Sequence, residues 1–247
     1  MDKLIYVAMT GAKHNLLQQG IAAHNLANVG TTGYREETAA FRALPAVGEG
    51  APTRVYAVET TTGANQAPGA IQTTGRDLDI AVQGRGWIAV EARDGTEAYT
   101  RNGSFELSPE GILQTRTGLS VLSEGGPMSV PANHAITVAR DGTVSAVPQG
   151  QSLANVIVVG RIKLVDPPET NLAKGTDGLF RTADRKPAET SQSVALVPGA
   201  LEASNVNAVE AMVTMISLAR QFEMQMKLLQ NAESNDRSAS QLLSVNS

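Results

Sequence analysis

The sequence predicts a mainly β central body with N- and C-terminal α-helices packed as an antiparallel, coiled-coil-like pair, α+β overall. Three observations predict it. Apolar stripes of helical period occupy both ends, turn signals recur at short intervals through the middle, and a stretch without regular period separates the first helix from that middle. Residues 1–34 and 200–247 are assigned to a helical inner-core domain, 35–76 to an extended connector and 77–199 to an all-β body.

The first helix is expected over about residues 3–28, with Ile5, Ala8, Ala12, Leu16, Ala23 and Leu26 on one face, broken by Gln19. Met9, Leu17 and Ile21 lie beside that stripe, and its small residues permit close helix approach. Val29-Gly30-Thr31-Thr32-Gly33 combines β-branched residues with two glycines and ends the helix. Asn28 is accounted for as its C-terminal cap. Asn25, a poor helix former within the helix, either sets register by hydrogen bonding to a neighbouring helix or is simply exposed.

Residues 43–74 are rich in Ala, Thr, Gly and Pro and are expected to run as an extended connector, with a strand at Arg54–Glu59, across other subunits or the chain's own body. The pattern changes at Asp77. Leu78, Ile80 and Val82 alternate with polar or small residues, Gly84-Arg85-Gly86 turns the chain, and Trp87–Val90 reads as the next strand. Asp94-Gly95 suits a hairpin turn with positive φ, leading into Glu97–Thr100. Asn102-Gly103, Glu110-Gly111, Gly125-Gly126, Asp141-Gly142 and Asp177-Gly178 punctuate further short runs at 112–115, 135–139 and 156–164. Edge strands are expected within 175–184 and at 194–197, before Pro198-Gly199 leads to the last helix.

That helix is expected over about 207–240. Met212, Met215, Ala219, Phe222, Met226 and Leu229 alternate by three and four as a coiled-coil seam, while Val209, Val213, Ile216 and Leu228 widen the apolar surface. Asn207 with Glu210 three residues on is a capping-box-like start. Glu223 to Lys227 and Glu233 to Arg237 place acid before base at i,i+4. Since the chain leaves one helix, builds a body and returns to the other, the two should run antiparallel. Neither stripe can be covered by a β-rich core, so both ends are expected to be largely disordered in the monomer and to fold on assembly with neighbouring copies.

Composition bounds the function. With 247 residues, 42% of them hydrophobic, the chain can bury one sizeable core or two small ones, but aromatic content of 4% with the single Trp87 excludes a large aromatic core. A net charge of -4, without Lys/Arg clusters interleaved with aromatics, argues against nucleic acid. The first helix lacks a basic face and no run approaches 18 apolar residues, so direct membrane insertion is not expected. The start, Met1 to Tyr6, does not read as a secretory signal, so either cytoplasmic residence or export without cleavage is expected. The absence of Cys removes disulfides and thiolate chemistry.

Catalytic and cofactor sites are not expected. His14, His24 and His134 lack metal-ligand spacing. Asp77 and Asp79 sit at i,i+2 and could point one way, as a cell-wall hydrolase would need, but a solvated strand face explains them better. Gly84-Arg85-Gly86 lacks the rest of a dinucleotide loop, and no Gly-x-Ser-x-Gly elbow occurs. The Met-bearing seam reads as a coiled-coil face rather than a promiscuous peptide groove. The candidate functional residues are therefore the assembly faces: Ile5, Ala8, Ala12, Leu16, Ala23, Asn25, Leu26 and Asn28 in the first helix, and Met212, Met215, Ile216, Ala219, Phe222, Met226 and Leu229 in the last.

Residues 23–34, Ala-His-Asn-Leu-Ala-Asn-Val-Gly-Thr-Thr-Gly-Tyr, resemble the N-terminal signature of bacterial flagellar rod and hook proteins. Residues 199–207, Gly-Ala-Leu-Glu-Ala-Ser-Asn-Val-Asn, resemble their C-terminal signature, and the body resembles the family through 78–87 and 99–105. The likeness covers essentially the whole chain, with His24 standing where the family usually has a smaller polar residue. Met1 to Tyr6 and Arg220 to Lys227 look most like the proximal-rod members. The resemblance implies a structural subunit of the flagellar drive shaft in the periplasmic basal body. It also implies uncleaved export by the flagellar type III apparatus and assembly with copies of itself and other rod proteins. Distal rod or another axial protein is the nearest alternative, and a secreted coiled-coil adhesin the more remote one.

Overall fold

A computed structural model of the chain describes residues 2–45, 55–131, 134–148 and 156–245. The chain divides into two compact units, one made of residues 1–27, 37–65 and 207–247, the other of 28–36 and 66–206.

The first unit contains both long helices, α1 (Asp2–Ala27) and α2 (Ala208–Val245), which pack against one another. Asn207 caps α2, its Oδ1 accepting the Val209 and Glu210 N–H groups at 3.1 and 3.4 Å. The helix runs past the expected end at 240, and the Glu233–Arg237 pair forms on its surface. The unit also holds β1 (Glu37–Pro45) and β2 (Val55–Ala64), paired antiparallel from Glu37↔Ala64 to Pro45↔Val55 with a register shift between Ala40 and Phe41. This corrects the expected extended connector. Ala- and Thr-rich strands lack the apolar alternation that marks a buried sheet face, and a hairpin lying on helices does not need it. His14 of α1 meets Phe41 of β1 edge-on, ring centroids 5.1 Å apart. Arg54 and Pro52 lie outside the described residues.

The second unit is β-rich. Its largest sheet is antiparallel, in the order Leu164–Val165, Trp87–Glu91, Glu97–Thr100, Phe180–Thr182, Leu172–Lys174. A second sheet joins His134–Val138, Thr143–Pro148 and Ile157–Arg161. Two-stranded pairs unite Ile80–Gln83 with Ala195–Pro198, Ile71–Thr73 with Ala200–Glu202, and Phe105–Leu107 with Leu113–Thr115. Phe180–Thr182, expected at an edge, is interior; Leu172–Lys174 takes the edge. Ile80, Val82, Ile88, Phe105, Leu113, Val144, Ile162, Leu164 and Leu196 belong to one buried cluster, a core of aliphatics with one aromatic ring. Val90, Ala92, Ala98 and Leu179 form a satellite.

Asp79 is buried rather than solvated. Thr74 Oγ1 donates to its Oδ2 at 2.8 Å and Arg76 Nε stands 3.4 Å from Oδ1, whereas Asp77 is exposed. The two carboxylates do not form a pair.

Tyr99 is buried in the five-stranded sheet, its hydroxyl donating to Glu97 Oε1 at 3.0 Å and accepting the Ala188 N–H at 2.7 Å. Burial pushes its phenol up to about 12 from an ordinary 10.0. The folded state therefore holds this proton where the unfolded chain has released it. The stabilising contribution is complete below pH 10 and falls away as pH rises toward about 12. Urea midpoints measured through that window should fall more steeply for the native chain than for Tyr99→Phe.

Candidate assembly interface

The least exposed face of α2 is Ala211, Met215, Leu218, Phe222, Gln225, Leu229 and Ala232, again alternating by four and three. It shares Met215, Phe222 and Leu229 with the expected seam, but its other positions are one residue earlier. Met212 is 50% exposed, Met226 is also exposed, and Ala219 is half-buried. The reason is on α1: Gly11 leaves room for Gln225, whose Cδ would stand only 3.2 Å from an added Cβ there. A polar residue therefore takes a seam position that apolar periodicity assigns to its neighbour.

On α1, Ala8, Ala12, Ala22 and Asn25 are buried, with Gly11, Asn15 and Gln18 half-buried between them. Leu26 and Asn28 are half-buried, Leu16 and Ala23 are exposed, and the Ile5 side chain lies outside the described residues. A face of Ala, Gly, Asn and Gln carries almost no hydrophobic signal. Asn25 overturns the exposure expectation: it is 4% accessible, its Oδ1 accepts the Glu37 N–H at 2.8 Å and its Nδ2 donates to the Glu37 carbonyl at 2.9 Å. The register it sets is with a strand. His24 Nδ1 stands 2.9 Å from Glu37 Oε2 beside it.

Much apolar surface remains exposed on this unit. Val209, Met212, Val213 and Ile216, with exposures of 69, 50, 60 and 56%, spread over the side of α2 opposite its seam, and Met224 and Leu228 continue the stripe. Near the middle of α2, Met9, Ala12, Lys13, Leu16 and Leu17 of α1 line an apolar groove of about 390 Å³ with Met226 and Leu229. The first turns of α2 thus carry apolar residues on the uncovered side as well as on the seam, interrupted by Glu210, Thr214 and Ser217.

In the second unit, the segments that follow α1 and precede α2 are anchored by a buried charge cluster. Arg35 and Glu202 are wholly inaccessible and Arg101 nearly so. Arg35 Nη2 stands 2.7 Å from Glu202 Oε1, and Arg101 Nη1 3.0 Å from Oε2. Arg101 Nη2 also donates to the Gly84 carbonyl at 2.7 Å, and the Gly69 N–H to Glu202 Oε1 at 2.8 Å. Both guanidiniums lie over Trp87, their Cζ atoms 5.9 and 5.2 Å from its ring centroid. Burial draws Arg101 below the usual guanidinium range, with Glu202 pulling the other way. None of these three residues was among the sequence-derived candidates. No cluster of metal-ligating side chains occurs among the described residues, and none of their helices is long and apolar enough to cross a membrane.

Three family descriptions match this chain: Flagella basal body rod protein over residues 5–35, Flagellar hook protein FlgE/F/G D1 domain over 81–146, and Flagellar basal body rod FlgEFG protein C-terminal over 197–242. The chain is 45% identical to flagellar basal-body rod protein FlgF of Escherichia coli K12, over 99% of this chain and all of the relative. It is 44% identical to the FlgF of Salmonella typhimurium LT2 over the same shares. The chain belongs to the flagellar basal-body rod protein family. It is a structural subunit of the basal-body rod. Flagellar basal-body rod protein FlgG of Buchnera aphidicola from Acyrthosiphon pisum is 30% identical over 96% of this chain and 98% of its own length. In this rod protein each matched region contributes one member of the buried cluster: Arg35 from the first, Arg101 from the second, Glu202 from the third.

Proposed function

We propose that this chain is a proximal-rod subunit whose two terminal helices run antiparallel, as a coiled-coil-like pair, and complete their burial against neighbouring copies and other rod proteins. The observation that carries this reading is the exposed stripe Val209, Met212, Val213 and Ile216, on a helix whose opposite face already forms a seam. The antiparallel direction is supported by the chain itself, because the segments leaving α1 and entering α2 meet where the Glu36 N–H donates to Asn205 Oδ1 at 2.7 Å. The sequence-derived candidates divide into two classes on this reading. Ala8, Ala12, Met215, Phe222 and Leu229 close the pair within one chain, whereas Leu16, Met212, Ile216 and Met226 face other chains.

Torque passes from subunit to subunit through many such contacts at once. The chain performs no chemistry of its own: Asp79, the carboxylate considered for hydrolysis, is held by Thr74 and Arg76. It reaches the periplasmic rod through the flagellar type III apparatus, with its helices unfolded until neighbours supply the missing contacts.

The test is Val213→Asp with Ile216→Asp. Both side chains are exposed in the isolated chain, so its urea midpoint should shift by no more than about 0.5 kcal/mol equivalent. Motility should nevertheless be lost and the variant should be missing from purified basal bodies. Normal swimming with full incorporation would refute the assembly face. Amide exchange of the dilute native chain checks the second half, with fast exchange through α1 and α2 and slow exchange in the core strands around Ile88 and Leu164 expected.

A further inference from the structure

The helical unit carries two uncovered apolar surfaces of opposite shape. One is a convex ridge, where Val209, Met212, Val213 and Ile216 stand out from the first turns of α2. The other is concave: the groove of about 390 Å³ in which Met9, Leu16 and Leu17 of α1 meet Met226 of α2, with exposures of 53, 51, 38 and 39%. Ridge and groove lie on different sides of α2, and Val213 comes thirteen residues before Met226, about 20 Å along the helix. Within one chain the ridge therefore cannot enter the groove.

Charge distinguishes the two surfaces as well. Lys13 is the one charged residue among those lining the groove. Glu210, exposed beside the ridge, is the one charged residue from 207 to 219. We propose that the α2 ridge of one copy seats in the α1–α2 groove of a second copy, with Glu210 against the Lys13 of that copy. The pairing rests on the reading of the exposed α2 stripe as an assembly face, and it names what that face meets. A ridge in a groove interdigitates its side chains, whereas two ridges touch along a line. Ridge against ridge would also set Glu210 on both sides of the contact and close at two copies. Ridge in groove joins unlike surfaces, so every pair keeps a free ridge and a free groove for the next copy, as a rod requires.

The first experiment uses the absence of Cys from the chain. Met9→Cys/Val213→Cys and the two single variants are expressed in cells lacking the native gene, and purified basal bodies are oxidised and separated without reductant. Met9 is two residues from Gly11, which lies against Gln225, twelve residues past Val213. Inside one chain the pair is thus on the order of 15–20 Å apart, well beyond the roughly 4 Å between Cβ atoms that a disulfide spans. Linked dimers and longer multiples are expected from the double variant, and only monomer from either single variant. Linkage by Val213→Cys alone would show ridge against ridge and overturn the proposal, as would an incorporated double variant that stays unlinked. Absence of the native chain itself from basal bodies would instead sink the rod reading.

Charge reversal gives a readout that needs no introduced sulfur. Lys13→Glu and Glu210→Lys should each lower the amount of chain in basal bodies by on the order of tenfold, because like charges then meet in the contact. Lys13→Glu/Glu210→Lys should return it to the native amount. A cation in the first turn of α2 also weakens that helix by itself, but a change on α1 would not repair such a loss. Failure of the double variant to recover would overturn the pairing.

Discussion

Glu202→Ala should destabilise the β-rich unit by about 3–5 kcal/mol, because it strands two buried guanidiniums without their only carboxylate in the triad. That is a large share of a typical domain's 5–15 kcal/mol or so. Urea unfolding followed by the fluorescence of Trp87, which lies under both arginines, reads the loss directly. Glu202 serves more than charge: it also accepts the Gly69 N–H, and Arg101 holds the carbonyls of Val82 and Gly84. Replacing all three charged residues with Met should therefore recover part of the stability, since no charge is left unpaired. It should not recover all of it, since these backbone groups lose partners. A Glu202→Ala midpoint within about 1 kcal/mol of native would mean that water reaches the cluster.

Gly33→Ala should be comparably damaging for a different reason. Gly33 has φ +68, and an added Cβ would lie 2.3 Å from the Arg101 carbonyl carbon and 2.5 Å from its oxygen. No L-residue side chain fits there, and backbone on both sides has to move. A loss of about 3 kcal/mol or more is expected, enough to reduce the folded population in the cell and with it motility. The matched control is Gly30→Ala three residues earlier, where an added Cβ meets nothing within 4 Å. Its midpoint should remain within about 0.5 kcal/mol of native, and equal effects at the two positions would refute the close-approach argument.

These two residues illustrate what the sequence discloses. Helix ends, the Asn207 cap and most body strands follow from local chemistry, because caps, Asp-Gly turns and two-residue alternation act over a few positions. The buried triad does not. Arg35, Arg101 and Glu202 each fall inside or beside a motif read from the sequence, yet 66 and 101 residues separate successive members and no periodicity connects them. Charged residues are also expected at the surface, so burial of three together runs against the ordinary rule. The β1–β2 hairpin is not legible in the sequence because its strands, rich in Ala and Thr, carry little apolar alternation. The α2 seam was displaced by Gln225, which is legible only once Gly11 is known to lie against it. Asn25 stands out in the sequence as an anomaly within its helix, but its partner twelve residues downstream belongs to a strand that the pattern does not disclose.

The helices are unequal: α1 has 26 residues and α2 has 38, so α2 extends about 18 Å further at 1.5 Å per residue. In the assembly proposed above, subunits built on such a pair are expected to overlap rather than to meet end to end like bricks. The proposed assembly is therefore expected to have scarfed joints, each long member overlapping the tier beyond it, with no straight path for a crack across the shaft.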